Sequence, residues 1–204
     1  MTGVQTCALP IYPMCGSSTL AIEAVLLATD RRPGLYRENY AFMHLLGYDA
    51  AAYKKELQDI RSKVKEKLLT VIATDISHDA IEISKVNARM AGVEHLIQFD
   101  TCDFEATAMP QTGVVFFNPE YGERLGDEAE LEVTYARIGD FMKKKCKGYM
   151  GYIYTGNLNL AKKIGLKAAR RIEFYSAKID CRLLEYELYE GTKRTTPRVK
   201  PEVI

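Results

Sequence analysis

The feature that most constrains the fold is a repeated pairing of a short apolar run with a following helical pattern. Three such runs, rich in β-branched or aromatic residues, are Leu69–Thr74, Leu96–Asp100 and Gly113–Phe117. Runs of this length are typical of strands in a parallel sheet, because helices cover such a sheet and make its strands apolar throughout. The alternation therefore predicts an α/β fold with a mostly parallel sheet.

Three more strands and six helices complete the predicted pattern. The strands are Tyr149–Tyr154, Arg170–Ala177 and Leu183–Tyr189. The last two follow each other with no helix between them, so we expect an antiparallel pair that closes the sheet. Apolar periodicity predicts helices over Leu20–Thr29, Arg37–Leu46, Ala50–Lys67, Asp79–Met90, Glu128–Lys145 and Leu158–Ile164.

One of these helices has a regular apolar face. Within Ala50–Lys67 the apolar residues recur every three or four positions, at Tyr53, Leu57, Ile60 and Val64. That spacing places them on one side of a helix and predicts a buried stripe. The opposite, charged side is most simply a solvated surface, and an RNA-facing role for it is the less favoured alternative.

Composition narrows the class of protein. A chain of 204 residues suits one domain, and its net charge of +1 gives no bulk sign of a nucleic-acid binder. Any RNA contact would then need a local basic patch or a separate domain. The five cysteines, at positions 7, 15, 102, 146 and 181, form no C-x-x-C pair, so we expect reduced thiols in a cytosolic protein and no metal site. No apolar run approaches the ~20 residues of a membrane span, so no membrane association is expected.

Four polar features fall at predicted strand ends: the turn at residues 13–19, Asp75, Asp103 and Asn118. Because ligands of parallel sheets bind at the carboxyl ends of strands, we expect these features to share one ligand site. Asp75 is placed to accept hydrogen bonds from two ribose hydroxyls, and Asp103 to accept one from an adenine amine. The alternatives are that Asp75 caps the next helix, where Ser77 or Asp79 would serve equally, and that Asp103 merely ends a strand.

The turn Pro13–Thr19 reads PMCGSST and opens a helix. Loops of this kind let backbone amides approach a ligand closely, which makes candidates of Pro13, Cys15, Gly16, Ser17 and Thr19. The turn matches neither the phosphate-binding loop G-x-x-x-x-G-K-[ST] nor G-x-G-x-x-G. A plain strand-to-helix turn capped by Ser17 or Ser18 explains it equally well.

The most specific signal is Asn118-Pro119-Glu120-Tyr121, directly after an apolar strand. The Asn118 amide should lie at the sheet edge above the ligand crevice. Pro119 fixes the backbone and removes a donor, so the neighbouring carbonyl groups are free to accept from a substrate. Tyr121 offers a flat face for a base, with a stacking free energy of roughly 1–3 kcal/mol. An ordinary surface loop is the alternative.

These motifs resemble the THUMP-containing class I RNA methyltransferases, and within them the K/L-type guanine-N2 methyltransferases of large-subunit ribosomal RNA. The resemblance rests on PMCGSST at 13–19, the acidic residue at 75 and NPEYGERL at 118–125, and it covers about residues 12–190. It implies a Rossmann-like fold with a mostly parallel seven-stranded sheet and an antiparallel last strand. It also implies S-adenosyl-L-methionine as cofactor, ribosomal RNA with a flipped base as partner, and Asn118, Pro119 and Tyr121 as catalytic residues.

Three positions depart from the family pattern. Ser18 replaces a glycine, Glu120 replaces a second proline and Tyr12 replaces an aspartate. The backbone carbonyl survives at Glu120, so we expect its role to survive and its side chain to face solvent. Tyr12 cannot copy an aspartate that would lie near the sulfonium and amino groups of the cofactor.

The segment Met1–Ile11, MTGVQTCALPI, resembles the translation of a common sequencing-adapter oligonucleotide instead of the family. That oligonucleotide ends in ATCT, so its ATC encodes Ile11, and the last T turns an aspartate codon into the tyrosine codon of Tyr12. We therefore expect a non-native segment at 1–11, a methyltransferase domain at 12–191 and a tail at 192–204. The first strand would be truncated or replaced, although an apolar run within Val4–Tyr12 can occupy its place.

The predicted reaction is methylation of the exocyclic N2 of a guanine in 23S ribosomal RNA, by a fragment that lacks the N-terminal RNA-binding region. Two alternatives stay open. The Asn-Pro-x-Tyr pattern at residues 118–121 serves the N6 amine of adenine equally well. A catalytically inactive Rossmann-like module that binds nucleotide or RNA is favoured by Tyr12, Ser18 and Glu120. The oligomeric state and the target nucleotide are left open.

Overall fold

The computed structural model describes residues 9–65, 70–121, 128–176 and 179–189, and these residues contain one seven-stranded sheet. Its strands are β1 Leu9–Tyr12, β2 Val71–Asp75, β3 Ile97–Thr101, β4 Gly113–Phe117, β5 Met150–Thr155, β6 Arg170–Ser176 and β7 Ile179–Glu187. The helices are α1 Thr19–Ala28, α2 Ala50–Ser62, α3 His78–Met90, α4 Glu128–Lys145 and α5 Leu158–Lys163. Short 3-10 segments lie at Ala41–His44, Glu94–Leu96 and Phe104–Ala106.

The strand order is β3-β2-β1-β4-β5-β7-β6. Neighbouring strands are parallel from β3 to β5, whereas β7 runs antiparallel to both β5 and β6. The predicted class, a mostly parallel seven-stranded sheet with an antiparallel last strand, is confirmed. Chain order runs outward in both directions from β1, so the switch point where ligands bind in such sheets lies between β1 and β4.

β1 occupies the first-strand position. Ile11 pairs with Ile72 of β2 and Val115 of β4, and it is fully buried. The apolar stretch before residue 13 thus completes the sheet, as expected for a run that fills the central slot. Residues 1–8 and the predicted tail at 192–204 lie outside the described residues.

The core has two layers, one on each face of the sheet. On one face α4 and α5 cover a cluster that includes Val115, Phe117, Ile138 and Ile153. On the other face α1 and α3 cover a smaller cluster around β1, β2 and β3, which includes Val25 and Val71 among others. Side chains alternate between the faces, so Ile11 belongs to the first cluster and Tyr12 packs against the second.

The predicted helix Arg37–Leu46 was wrong. Only a 3-10 segment, Ala41–His44, forms within it. Tyr40 stacks on Phe42 with 5.3 Å between ring centroids, and Phe42 meets Tyr53 of α2 edge-on at 5.4 Å. Aromatic residues favour helices only weakly, and here their mutual packing decides the backbone conformation.

The second predicted helix is shorter than expected, because α2 ends at Ser62 instead of Lys67. Its stripe of Tyr53, Leu57, Ile60 and Val64 is half-buried, and no residue of α2 is fully buried, so the predicted buried stripe was also wrong. The ring contacts of α2 are with the aromatic segment before it, where Tyr53 meets Phe42 and Tyr48. The other predicted elements are present with shifted ends, and β4 and α4 have the predicted bounds. No described helix is long and apolar enough to cross a membrane.

Candidate active site

A cleft of about 230 Å³ lies at the carboxyl ends of β1 and β4, at the switch point of the sheet. Its lining combines the loop after β1, the start of α1 and the end of β4: Tyr12, Met14, Cys15, Gly16, Ser17, Thr19, Leu20, Ala21, Phe116 and Asn118. The structure thus brings together Cys15, Gly16, Ser17, Thr19 and Asn118 from the predicted set. A larger cavity of about 560 Å³, which includes Asp30 and Lys63, lies at the opposite end of α1, away from these strand ends.

Side chains from β2 and α3 hold the loop at residues 13–19. Gly16 has a φ of +54°, and its amide donates to Oδ2 of Asp75 over 2.9 Å. The Ser84 hydroxyl donates to the Gly16 carbonyl over 2.7 Å, and Asn87 Nδ2 donates to the Ser17 carbonyl over 3.1 Å. The left-handed backbone at Gly16 is one that glycine adopts without the steric cost of a Cβ.

Ser18 begins α1 in a left-handed conformation, with a φ of +60°. Its side chain is buried but makes no capping hydrogen bond to the helix. The Ser17 hydroxyl contacts the Thr19 hydroxyl over 3.3 Å. The capping explanation of this turn therefore fails for the Ser18 side chain, and the backbone at this position is one that favours glycine.

Asp75, at the end of β2, lies beside the loop and not in the lining of the cleft. Its Oδ1 accepts from the Ser77 amide over 3.0 Å, and its Oδ2 accepts from Gly16. The cap of α3 is Ser77, whose hydroxyl accepts from the Ala80 amide, so the alternative role of Asp75 as helix cap was wrong. Each carboxylate oxygen has two lone pairs, which leaves capacity for further donors at Asp75.

Asp103 does not line the cleft. It caps the 3-10 segment Phe104–Ala106 by accepting from the Glu105 amide, and Arg137 Nη2 donates to both of its oxygens over 2.9 Å. Burial raises the pKa of the Asp103 carboxyl, but the hydrogen bonds from Glu105 and Arg137 and the guanidinium charge outweigh it and hold the pKa below its usual value. Its predicted contact with an adenine amine stays a prediction.

Pro13, which was a predicted cofactor-binding residue, is buried at the start of the loop and does not line the cleft.

Several residues that do line the cleft were not predicted from the sequence, among them Met14 and Phe116. The alternation of side chains along β4 could have identified Phe116. Phe117 faces the α4 layer, so Phe116 must face α1 and the cleft. Leu20 and Ala21 follow from the first turn of α1.

Tyr12 forms one wall of the cleft. Its ring centroid lies 5.9 Å from that of Phe116, and burial raises the pKa of its hydroxyl, so the phenol is neutral at physiological pH. No carboxylate is among the cleft-lining residues in the described part of the chain. A cationic ligand would therefore find apolar and neutral polar groups here, with Asp75 behind Gly16 as the nearby acid.

The loop Asn118–Tyr121 is set by packing. Asn118 is exposed at the mouth of the cleft, Pro119 is buried and Glu120 is exposed, as predicted for its side chain. The residues that follow, 122–127, lie outside the described part of the chain. The buried Pro119 anchors this segment, in which the side-chain amide of Asn118 and the carbonyl of Pro119 belong to consecutive residues.

The Tyr121 ring lies over the ends of β5 and β7. It meets Tyr154 edge-on with 6.0 Å between ring centroids, and the Cys181 thiol lies 4.0 Å from the Tyr121 hydroxyl. A Cβ at Gly156 would lie 2.7 Å from Cδ2 and Cε2 of this ring and 2.7 Å from Cγ2 of Ile179, so a larger residue there forces these side chains to shift. Burial, followed by the contact with Cys181, raises the pKa of Tyr121. The role of Gly156 was not predicted, because the contact joins residues far apart in sequence.

A family model described as the RMKL-like methyltransferase domain matches residues 1–185. The chain belongs to this family. The expected methyltransferase class is thereby confirmed, together with S-adenosyl-L-methionine as the methyl donor of such domains. The THUMP region, which the resemblance implies, stays a prediction.

Several relatives carry the name ribosomal RNA large subunit methyltransferase K/L. The protein of Syntrophotalea carbinolica is 36% identical over 188 residues, which cover 88% of this chain and 26% of that protein. The protein of Methylococcus capsulatus is 34% identical over 184 residues, which cover 87% of this chain and 25% of that protein. The chain thus spans about a quarter of the length of these relatives.

Solved structures show the same fold. A Clostridium difficile 630 protein described as a possible methylase superposes with a TM-score of 0.80 at 26% identity, and the superposition covers 91% of this chain and 49% of that chain. A Listeria monocytogenes protein, described as a predicted N6-adenine-specific DNA methylase, has a TM-score of 0.79 at 28% identity, and the superposition covers 91% of this chain and 48% of that chain. SMU.472, solved with SAH, has a TM-score of 0.81 at 24% identity, covers 91% of this chain and 49% of its own, and supports the fold alone.

Proposed function

We propose that this domain transfers a methyl group from S-adenosyl-L-methionine to the exocyclic N2 of a guanine in 23S ribosomal RNA. The observation that carries the proposal is the position of Asn118, which lines the same cleft as the Gly16 loop. A cofactor held by that loop and an amine held by Asn118 would then meet at one strand edge. The names of the relatives, which are large-subunit ribosomal RNA methyltransferases, support the choice of RNA.

The groups in and beside the cleft include acceptors for the adenosine part of the cofactor, whereas the cleft lining holds no charge for its cationic part. The positive φ of Gly16 presents the loop backbone, and the carboxylate of Asp75 beside it is suited to ribose hydroxyls. Cys15, Ser17 and Thr19 would complete this side, with Pro13 supporting the loop from below. Tyr12 supplies no charge for a sulfonium or an ammonium, so we expect weak binding by the chain as it stands.

The target amine needs positioning more than proton transfer. The bound cofactor supplies an electrophilic methyl group. The side-chain oxygen of Asn118 and the carbonyl of Pro119 would accept the two N–H hydrogens of the amine and direct its lone pair, which is otherwise delocalised into the ring, toward that group. As the new N–C bond forms, the bond between the methyl carbon and sulfur would break with its electron pair left on sulfur, and the amine would lose one proton to solvent.

Tyr121 would stack on the target base after the base leaves its helix. The Tyr121 ring packs edge-on against Tyr154 and close to Gly156, and these contacts support a defined orientation of the ring. Asp103 would accept from the adenine amine of the cofactor through the lone pair that Arg137 and Glu105 leave unused. A cytoplasmic location suits an enzyme that acts on ribosomal RNA, and we include it in the proposal.

Labelled methyl transfer tests the reaction. The chain and its Tyr12→Asp variant are incubated with deproteinised 23S ribosomal RNA and labelled S-adenosyl-L-methionine, and the RNA is digested to nucleosides. We expect N2-methylguanosine, with more product from Tyr12→Asp. Label in N6-methyladenosine would favour the adenine alternative, which the similarity to the Listeria protein supports. Cofactor binding without transfer by either form would favour the inactive module.

Sequencing the genomic locus tests the proposed boundaries. We propose that residues 1–11 are adapter-derived, that residues 12–191 form the methyltransferase domain and that 192–204 form a tail. A genomic aspartate codon at position 12 supports the boundary. A tyrosine codon there, preceded by codons for MTGVQTCALPI, would contradict it.

A further inference from the structure

A line of aromatic rings leads from the Asn118–Tyr121 loop to the edge of the sheet. Tyr121 meets Tyr154 of β5 at a centroid distance of 6.0 Å and an interplanar angle of 75°. Tyr154 meets Phe174 of β6 at 6.1 Å and 73°. We name Tyr121, Tyr154 and Phe174 the aromatic row. It crosses above β7, which lies between β5 and β6 in the sheet.

The row ends in an exposed ring. Phe174 is 45% exposed and lies on β6, the last strand of the sheet. It pairs in register with Cys181, whose thiol approaches the Tyr121 hydroxyl, so the row and the candidate amine site share one face. Tyr175, the next residue, is 74% exposed and points to the opposite face because side chains alternate along a strand.

A positive charge accompanies the row. Arg170 lies on β6 at an even spacing from Phe174 and therefore on the same face. Its side chain is 67% exposed, with Nη1 3.8 Å from the Glu185 carboxylate. Arg170 lies roughly 13 Å from Phe174 along the strand. An exposed aromatic ring is a group on which a base of single-stranded nucleic acid stacks, and an arginine on the same face is suited to one of its phosphates.

We propose that the aromatic row, with Phe174 as its outer member, binds the RNA nucleotide that flanks the target base. This proposal rests on the proposed function, because the row begins at the ring that would stack on the flipped base. A flanking base on Phe174 and a phosphate at Arg170 would hold the RNA strand along the sheet edge. Discrimination between bases is not expected from stacking alone, since every base has a flat face.

Binding of a short single-stranded RNA tests the row independently of catalysis. The probe is a guanine-containing oligonucleotide with 2-aminopurine beside the guanine, whose fluorescence is quenched on stacking. We expect Phe174→Ala to raise the Kd of the chain for this RNA by roughly tenfold, the loss typical of one stacked base. Phe174→Trp should retain the wild-type Kd and the quench. Affinity for S-adenosyl-L-methionine, measured by calorimetry, should not change.

Tyr175→Ala is the matched control, because it removes an exposed ring from the same strand on the opposite face. We expect its Kd for RNA to stay within about twofold of wild type. Phe174→Leu keeps an apolar side chain and replaces the alanine variant if that variant does not fold. Its Kd for RNA should rise, and its fluorescence quench should be lost, as in Phe174→Ala.

Equal losses in the Phe174 and Tyr175 variants, an unchanged Kd in Phe174→Leu, or no RNA binding by the wild-type chain would each overturn the proposal. Failure of methyl transfer alone would count against the proposed function and not against the row.

Discussion

The loop at residues 13–19 and the loop at 118–121 meet at one cleft but are held in place differently. The first is fixed by hydrogen bonds from Ser84 and Asn87 to its carbonyl groups and by the Gly16 amide on Asp75. The second is fixed by the buried Pro119 and by packing of the Tyr121 ring above Gly156. Changes at the first loop should therefore act on cofactor affinity, and changes at the second on turnover.

The largest expected effect falls on the second loop. In the Tyr12→Asp background, Asn118→Ala should lower turnover by roughly 100-fold or more, because it removes one acceptor that aligns the amine in the transition state. Calorimetry should show S-adenosyl-L-methionine affinity within about threefold of the parent. Unchanged turnover would contradict the role of Asn118. Glu120→Ala, an exposed neighbour, is the control and should leave turnover nearly unchanged.

The strongest effect at the first loop is expected at position 12. Tyr12→Asp should raise the affinity for S-adenosyl-L-methionine by roughly 10- to 100-fold, since a hydrogen bond between charged groups contributes about 1.5–3 kcal/mol. Calorimetry measures it directly. Asparagine has nearly the shape of aspartate without its charge, so Tyr12→Asn should raise the affinity for S-adenosyl-L-methionine much less than Tyr12→Asp. Equal gains in the two variants would show that removal of the ring, and not charge, governs affinity.

Gly156 sharpens the comparison, because it supports the second loop from a distant strand end. Gly156→Ala should displace the Tyr121 ring and lower kcat by about tenfold, with cofactor affinity unchanged. A double-mutant cycle with Tyr121→Ala separates this effect from general destabilisation. The added Cβ also meets Cγ2 of Ile179 at 2.7 Å, so Gly156→Ala should still lower the free energy of unfolding when the ring is absent. Its further effect on kcat should then be small, and fully additive losses of kcat would argue against the ring contact as the cause.

A smaller effect is expected from the backbone of the first loop. Ser18→Gly should raise the free energy of unfolding by about 1 kcal/mol, because the residue at this left-handed position then has no Cβ. Urea unfolding measures the change. Ser17→Gly, at a neighbouring position with no positive φ, should stabilise less or destabilise. A loss of stability in Ser18→Gly would show that the buried hydroxyl contributes more than the strain removes.

The smallest effect concerns the Arg137–Asp103 pair beyond the cleft. The pKa of Asp103 is lowered in the folded chain, so the pair stabilises at pH values above the unfolded value of 3.8 and loses that contribution as pH falls through the folded pKa. Arg137→Met should cost about 0.2–1 kcal/mol at pH 7, since both side chains are more than a third exposed. The difference in unfolding free energy from wild type should shrink as the pH falls below 3.8. A difference that is constant with pH would mean that Arg137 acts by packing on Phe104 instead.

The sequence predicted the fold well where local pattern and tertiary packing agree. β4 and α4 have their predicted bounds because an apolar run and a long amphipathic pattern coincide with buried positions. The prediction of a helix at 37–46 was wrong because contacts among Tyr40, Phe42 and Tyr53 override a weak helical pattern. Such contacts depend on three-dimensional packing that no local window contains.

The candidate site was predicted unevenly for a similar reason. Asn118 and Gly16 were identified because polar or glycine residues at strand ends are visible in the sequence, and both line the cleft. The close approach of the Tyr121 ring to Gly156 was not predicted, because it joins residues that are distant along the chain. Asp103 lies outside the cleft lining and is held by Arg137 of α4, and its expected contact with the adenine amine stays a prediction.

The central claim is that the Gly16 loop and the Asn118–Tyr121 loop form one site. A crystal structure of the Tyr12→Asp variant with S-adenosylhomocysteine tests it most directly. We expect the ligand in the cleft between Gly16 and Asn118, with its ribose at Asp75. Full occupancy at another position, such as the larger cavity beside Asp30 and Lys63, would contradict the claim.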